Sequence, residues 1–167
     1  MEVVYYMDLA FFDIDGTLSV PRYLCPDGKY RAGMPQEDWE KYCERNYNAY
    51  VDCGTPAPMY ELLSDLKDAG AKLRVLSTES MEAAKISKSR FIDDNYKEFF
   101  TTEDIVFVES SDKKVPVILE MCQEEGIPVD RAYYMDDDFG LVLEALDYNI
   151  AAHHISELFL YERGELW

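Results

Sequence analysis

The order of hydrophobic and polar positions along the chain predicts strands that alternate with helices. Continuous apolar runs, typical of strands buried on both faces of a sheet, occupy residues 9–12, 105–108, 132–135 and 150–152. Leu73, Val75 and Leu76 predict a further strand at 73–76. Apolar residues with the spacing of an amphipathic helix lie at 59–69, 80–89, 115–125 and 141–146, with an aromatic stretch at 91–100 outside the second helix. This alternation predicts an α/β fold, with a Rossmann-like open parallel sheet and helices on both faces.

Residues 19–57 differ in character and predict a small cap-like insert within a single domain that spans 1–167. Prolines and glycines break residues 19–34 into loop, whereas residues 35–51 have the composition of an aromatic-rich helix. Its aromatic side chains could stack on a nucleobase or form a small core that fixes the insert to the body of the domain. The second interpretation is the more common, and we favour it for Trp39, Tyr42, Tyr47 and Tyr50.

The net charge is −18, from 34 acidic and 16 basic residues. Because nucleic acids and anionic lipids bind proteins largely through Lys and Arg, this balance argues against a nucleic-acid partner and against a membrane surface. The N-terminal segment lacks the basic residues of a signal peptide, and no apolar run is long enough to span a bilayer, so we expect a cytoplasmic protein. The four cysteines lack metal-binding spacing and are expected to be reduced, partly buried thiols.

Polar residues follow the ends of the predicted strands. Each group by itself has a structural explanation, as a turn, a helix cap or solvated surface. Because parallel strands end at one edge of a sheet, however, we expect these groups to converge there. Carboxylates at such an edge suit Mg²⁺, and hydroxyl and ammonium groups suit phosphoryl oxygens. The groups are Asp13 and Asp15, Ser77, Lys113 and Lys114, and Asp136 and Asp137.

The first of these groups carries a family resemblance. A hydrophobic strand followed by Asp-Ile-Asp-Gly-Thr-Leu at 13–18 resembles the first motif of haloacid dehalogenase (HAD) superfamily phosphatases. The serine, the lysine pair and the Tyr-Tyr-Met-Asp-Asp segment at 133–137 occur in the order of the other three motifs, and the match covers nearly all of the chain outside the insert. The chain therefore resembles a HAD phosphatase with a short cap insert.

The resemblance implies catalytic and metal-binding roles for the aspartates. Asp13 would be the nucleophile that forms an aspartyl-phosphate, and Asp15 would be the general acid and base. Mg²⁺ would be bound by Asp13, by the backbone carbonyl of Asp15, and by Asp136 or Asp137. The family has an alanine eight positions after its metal-binding aspartate, and Ala145 fits that position relative to Asp137. We therefore favour Asp137 as the ligand, with Asp136 acting through water or on the lysine.

The resemblance also implies which residues hold the phosphoryl oxygens. Thr17 and Ser77 would bind them, together with one lysine, since this chemistry depends on positioning and charge stabilisation. Thr78 competes with Ser77 by one position. The sequence does not separate Lys113 from Lys114: a proline at 116 favours the first, and helix phase permits the second.

These features predict Mg²⁺-dependent hydrolysis of phosphate monoesters, with a nucleotide or another small phosphorylated metabolite as substrate. The short insert also resembles that of polynucleotide 3′-phosphatases, but the negative charge disfavours a nucleic-acid end. A non-catalytic binding module is a further alternative, although such relatives normally lose Asp13 or Asp15, and both are present. A receiver-domain phosphoacceptor is excluded by the motif order. The sequence does not indicate an oligomeric state.

Overall fold

The computed structural model describes residues 6–45 and 47–162 of the chain. The strands are β1 (Leu9–Phe12), β2 (Tyr23–Leu24), β3 (Tyr30–Arg31), β4 (Lys72–Thr78), β5 (Ile105–Val108), β6 (Ala132–Asp136) and β7 (Ala151–His154). The helices are α1 (Gln36–Arg45), α2 (Met59–Asp68), α3 (Glu82–Tyr96), α4 (Lys114–Glu125) and α5 (Phe139–Asp147). Helices and strands alternate, so the predicted α/β class is confirmed.

Five of these strands form one parallel sheet in the order β5-β4-β1-β6-β7. The central strand is β1, where Phe12 pairs with Val75 of β4 on one side and with Met135 of β6 on the other. The chain passes from β1 outward to β5 and then crosses to β6 and β7. Reversal of the strand order at β1 opens a crevice beside the carboxyl ends of β1 and β6.

Both faces of the sheet are covered because its strands are apolar on both faces. In β1, Ala10 and Phe12 belong to one core, and Leu9 and Phe11 belong to the other. The first core is completed by α2, α3 and the insert, and the second by α4 and α5. Successive side chains of β1 thus anchor opposite layers, as the period of a strand requires.

Two helices end well away from their predicted ends. The first ends at Arg45 rather than at residue 51, and the chain then turns so that Ala49 and Tyr50 reach the core. The third extends to Tyr96 rather than ending near residue 89, because Phe91 and Tyr96 continue its buried face. In both cases packing against the sheet decided where the helix ends.

The insert, 19–57, joins the body of the domain at a short stem. Val20 and Gly54 exchange two backbone hydrogen bonds of 2.8 and 3.0 Å. Strands β2 and β3 form a small antiparallel hairpin within the segment predicted as loop. The rings of Trp39 and Tyr42 stack on each other at 6.0 Å, and Trp39 meets the buried Tyr50 edge-on at 5.8 Å. These contacts favour the core interpretation for Trp39, Tyr42 and Tyr50, whereas Tyr47 is exposed.

All four cysteines are free thiols, and three of them are buried. Within 6–45 and 47–162, no helix combines the length and apolar character needed to cross a membrane. Residues 1–5, part of the segment that lacks signal-peptide features, lie outside the described residues.

Candidate active site at the carboxyl edge of the sheet

Two acidic side chains from neighbouring strands meet in the crevice. Asp13 directly follows β1, and its backbone N–H continues the ladder by donating to the Met135 carbonyl at 3.1 Å. Asp136 is the last residue of β6. The two residues are 5% and 1% exposed, so both carboxylates are held in a largely dry environment.

The ammonium of Lys114 bridges these two carboxylates. It lies 2.8 Å from Asp13 Oδ1 and 2.8 Å from Asp136 Oδ2. Burial lowers the pKa of Lys114, but the two carboxylates outweigh this effect and raise its pKa above the usual value. Lys113, the other candidate lysine, is exposed at the end of the preceding 3-10 turn and makes no ion pair within the described residues. The structure therefore brings Lys114, and not Lys113, into the site.

The two aspartates of the fourth motif occupy different environments. Both carboxylate oxygens of Asp136 are engaged: Oδ2 accepts from Lys114 and from the Tyr134 hydroxyl, and Oδ1 accepts from the Asp138 backbone N–H at 2.8 Å. Asp137 is exposed and faces the crevice. Asp138 caps α5 by accepting from the Leu141 N–H at 3.2 Å.

The loop that carries Asp137 is held from the neighbouring strand. His154 Nδ1 accepts the backbone N–H of Ser156 at 3.2 Å, so its Nε2 carries the proton. That Nε2 donates to the Asp137 carbonyl at 3.0 Å. This hydrogen bond connects the backbone of Asp137 to β7. It therefore fixes the position of the backbone from which the Asp137 side chain extends.

Three carboxylates of the site are close enough to share one cation. Oxygen atoms of Asp13, Asp136 and Asp137 all lie within 4.8 Å of one another. Oxygen ligands of this kind are those that Mg²⁺ prefers. Asp15 adds a fourth carboxylate nearby, and two buried lysines offset only half of the total negative charge. Both the donor set and the charge fit a divalent cation.

The pKa values of two of these carboxyls are raised. Burial raises the pKa of Asp13 to about 7; Lys114 opposes the shift, and the neighbouring acids Asp136 and Asp15 add to it. Burial, followed by the charge of Asp136, raises the pKa of Asp137 to about 6. Positive charge beside Asp13 would counter this effect, because it favours the ionised form of a carboxyl.

A second buried lysine, not identified from the sequence, contacts Asp15. Lys88 lies on α3, is 2% exposed, and places its ammonium 2.8 Å from Asp15 Oδ2 and 3.1 Å from Ser77 Oγ. Burial lowers the pKa of Lys88, but the carboxylates of Asp15, Glu79 and Asp13 outweigh this effect. The pKa of Lys88 is therefore raised above its usual value. Lys88 therefore links the first motif to Ser77.

The insert also reaches Asp15. The Tyr50 hydroxyl donates to Asp15 Oδ1, and the Tyr23 hydroxyl lies 3.4 Å from the same oxygen. Both tyrosines are buried, and burial together with the charge of Asp15 raises the pKa of each above the usual range. Tyr23 and Tyr50 thus remain protonated donors to the carboxylate.

Ser77, Thr78 and Thr17 differ in how they relate to the site. Ser77 is fully buried at the end of β4 and accepts a hydrogen bond from Lys88, so its own O–H remains able to donate. The hydroxyls of Thr78 and Thr17 are buried with no hydrogen-bond partner among the described residues. Ser77 rather than Thr78 is thus connected to the cluster, and a phosphate-binding role for Thr17 stays a prediction.

A cavity of about 310 Å³ lies between the insert and part of the site. Asp15, Lys88 and Asp137 lie on the side of the sheet. The insert contributes the facing wall, which includes Tyr23, Met34, Gln36 and Trp39. The insert therefore shapes the space next to Asp15 and Asp137.

The residues missed from the sequence differ in how much signal they leave. Lys88 lies on the buried face of α3 between Ala84 and Phe91, so a lysine within an apolar stripe is its local sign. Tyr23 and Tyr50 leave no such sign, because their distance from Asp15 along the chain depends on how the insert folds back. Local pattern alone does not contain that contact.

Solved structures share the fold of this chain at low sequence identity. A HAD hydrolase of family IA, variant 3, from Entamoeba histolytica is 17% identical, with a TM-score of 0.58 over 96% of this chain and 92% of that one. The N-terminal part of a Bacteroides fragilis protein, containing a phosphatase domain complexed with Mg, is 16% identical, with a TM-score of 0.54 over 97% of this chain and 42% of that one.

A third similar structure holds ligands at low identity. A HAD family enzyme from Bacteroides thetaiotaomicron, in complex with magnesium and inorganic phosphate, is 11% identical, with a TM-score of 0.51 over 96% of this chain and 97% of that one. No family model matches the sequence, and no curated protein matches it either. The architecture and its structural relatives together establish that this chain has the haloacid dehalogenase-like fold.

Proposed function

We propose that this protein is a Mg²⁺-dependent phosphatase that hydrolyses small phosphate monoesters through an aspartyl-phosphate on Asp13. The observation that carries the proposal is the Lys114 ammonium, 2.8 Å from both Asp13 and Asp136, at the carboxyl ends of β1 and β6. A buried carboxylate paired with a cation that retains an unused donor is suited to attack on phosphorus and to stabilise the charge that develops. The low-identity HAD hydrolases and phosphatases with the same fold support this reaction class.

In the first step, a carboxylate oxygen of Asp13 bonds to phosphorus while the ester P–O bond breaks. The leaving oxygen takes a proton from Asp15, which is two residues along the chain and lines the cavity. Lys114 uses two of its three N–H groups on Asp13 and Asp136, so one remains for a phosphoryl oxygen. The Ser77 hydroxyl is a second donor for the same group.

In the second step, Asp15 takes a proton from water, and the water oxygen attacks the phosphorus of the aspartyl-phosphate. The bond to Asp13 breaks, which releases inorganic phosphate and restores the carboxylate. One residue thus acts as acid in the first step and as base in the second, which balances the protons over the cycle.

Asp13, Asp137 and the Asp15 backbone carbonyl would hold Mg²⁺, with Asp136 directed instead to Lys114. Asp136 already has both oxygens engaged, whereas Asp137 is exposed towards the crevice. When bound, the cation would favour the ionised form of Asp13 and offset the repulsion between that carboxylate and a phosphate dianion. The Bacteroides thetaiotaomicron enzyme with magnesium and phosphate is consistent with this assignment.

A small leaving group fits the site best. The cavity of about 310 Å³ lies at the lower end of the range for small-molecule pockets. Its insert wall, with Trp39 and Met34, suits a compact group with some apolar surface, and the net charge of −18 opposes a nucleic-acid end. We therefore favour a nucleotide or another small phosphorylated metabolite.

The proposal is tested by phosphate release from a panel of monoesters, with Mg²⁺ and with chelator. The panel spans nucleotides, sugar phosphates, phosphopeptides and 3′-phosphorylated oligonucleotides, each also incubated with the Asp13→Asn variant. Mg²⁺-dependent release from a subset of small esters that is lost in the variant supports the proposal. Preference for the oligonucleotide would favour a polynucleotide 3′-phosphatase. Mg²⁺ binding without release from any ester would favour a non-catalytic module.

A further inference from the structure

The ammonium of Lys88, at the wall of the cavity, is surrounded by protein acceptors. Its Nζ is 2.8 Å from Asp15 Oδ2, 2.9 Å from the Thr78 carbonyl and 3.1 Å from Ser77 Oγ. Glu79 Oε1 lies at 3.4 Å. The Lys88 side chain is 3% exposed, so these protein atoms surround the ammonium.

The geometry limits what this ammonium can do. A lysine has three N–H donors, and the three shortest contacts of Lys88 use all of them. Lys114 differs, because its two carboxylate partners leave one donor over. Lys88 is therefore not arranged to bind a phosphoryl oxygen, and it acts through its partners, among which the Asp15 carboxylate at 2.8 Å is the nearest.

The other oxygen of Asp15 is held by the insert. Tyr50, 2% exposed, donates its hydroxyl to Asp15 Oδ1, and Tyr23 lies 3.4 Å from the same atom. The Asp15 side chain is nevertheless 42% exposed and lines the cavity. Lys88 of α3 therefore donates to one oxygen of the Asp15 carboxylate, and Tyr50 of the insert donates to the other. A carboxylate that accepts hydrogen bonds on both oxygens is restricted in its rotation.

We propose that Lys88 and Tyr50 are positioning residues that hold the Asp15 carboxylate towards the leaving oxygen and thereby make proton transfer depend on the docked insert. This inference rests on the proposed phosphatase function. It concerns the step in which the P–O ester bond breaks, the Asp13–phosphorus bond forms and the proton of Asp15 passes to the leaving oxygen. Neither Lys88 nor Tyr50 contributes a proton to the balance, and we expect the main effect of each on the rate to come through the placement of Asp15.

Dependence on the leaving group separates this role from a structural one. An alkyl phosphate needs a proton on its leaving oxygen, whereas 4-nitrophenyl phosphate has a leaving group stable enough to depart without one. Because kcat/KM reports the first chemical step, we expect Lys88→Met and Tyr50→Phe to lower kcat/KM for the alkyl ester by about 10²-fold, the lower end of general-acid effects. For 4-nitrophenyl phosphate the loss should stay within about threefold, given the same reasoning.

A double-mutant cycle provides the second readout. If Lys88 acts through Asp15, then Lys88→Met in an Asp15→Asn background should change kcat/KM for the alkyl ester by less than about twofold, since residues that act as a unit are non-additive. Matched controls are Lys97→Met, an exposed lysine just after α3, and Tyr96→Phe, whose buried hydroxyl donates to the Leu18 carbonyl instead of to Asp15. Both controls should leave the leaving-group dependence unchanged.

The outcomes separate this inference from the function on which it rests. Equal losses for both esters, or the same loss from Lys88→Met in the wild-type and Asp15→Asn backgrounds, would overturn the positioning role while leaving the phosphatase assignment intact. If the wild type showed no phosphatase turnover that Asp13→Asn abolishes, both the positioning role and the phosphatase assignment would be overturned. Tyr50→Phe removes a single hydroxyl, so it tests the inference even if Lys88→Met does not fold.

Discussion

The ammonium of Lys114 lies 2.8 Å from the Asp13 carboxylate, although 101 positions separate the two residues along the chain. The contact predicts that Lys114→Met lowers kcat for an aryl phosphate by about 10²–10³-fold, the usual effect of removing one donor from a developing oxyanion. Steady-state kinetics at saturating Mg²⁺ measure this loss. Thermal unfolding of the variant shows whether it remains folded.

Lys113→Met is the matched control for that variant. Lys113 is adjacent in sequence but exposed, so its loss should leave kcat within about twofold of the wild type, as surface substitutions usually do. The opposite pattern, with Lys113→Met inactive and Lys114→Met active, would show that the lysine of the site has been assigned to the wrong position.

Gly16 lies directly beneath the Asp137 carboxylate. A Cβ at this position would collide with the Asp137 side chain, and the φ of +76° is one that other residues adopt only with strain. Gly16→Ala should therefore displace Asp137 and weaken Mg²⁺ binding by about 10- to 100-fold, the range found when the groups supporting a metal ligand are disturbed. Isothermal titration calorimetry with Mg²⁺ alone measures the change.

Gly28→Ala separates the collision from the backbone strain. Gly28 has a similar φ of +78° but nothing within 4 Å of its Cβ position. This variant should lose about 1–3 kcal/mol of stability, the cost of a strained φ, and bind Mg²⁺ normally. Equal Mg²⁺ affinities in the two variants would count against Asp137 as a ligand.

Asp13→Asn should lose turnover without losing the fold. The amide keeps the shape of the buried side chain but cannot form the acyl-phosphate, so kcat should fall by at least about 10³-fold. Phosphate release and circular dichroism provide the two measurements. A variant that hydrolysed an aryl phosphate at near wild-type rate would rule out Asp13 as the nucleophile.

The stabilisation of the protein by Mg²⁺ should increase with pH. The pKa values of Asp13 and Asp137 are raised from 3.8 to about 7 and about 6, so the folded state holds these protons more tightly than the unfolded chain. Their contribution to stability is complete below about pH 4 and is lost as the pH rises through 6 and 7. Since Mg²⁺ binds the ionised carboxylates, the difference in Tm between Mg²⁺ and chelator should be larger at pH 8 than at pH 5.

Comparing the Tm with Mg²⁺ and the Tm with chelator at each pH cancels the effect on stability of acids outside the site. Asp137→Asn removes one of the two carboxyls whose pKa is raised. It should therefore reduce the increase with pH of the Tm difference between Mg²⁺ and chelator. A Tm difference that stays constant between pH 5 and pH 8 in the wild type would contradict the prediction.

Much of the fold could be predicted from local pattern. The buried run at 9–12 and its counterparts along the chain predicted a parallel sheet, because strands buried on both faces must be apolar throughout. Polar groups at the ends of such strands could then be placed at one edge without knowledge of any contact. Helix ends were harder to predict: α1 stops at Arg45 and α3 continues to Tyr96 because packing, which a local window does not contain, decides them.

The sequence by itself determined the fold class, the order of the acidic, hydroxyl and lysine groups, and the edge of the sheet at which they meet. Only the tertiary structure decided that Lys114 rather than Lys113 enters the site, and that Lys88 and Tyr50 hold Asp15. The reason is physical. Strand and helix periodicity are repeated along the chain, whereas a hydrogen bond between an insert and a distant carboxylate depends on the three-dimensional path of the backbone between them.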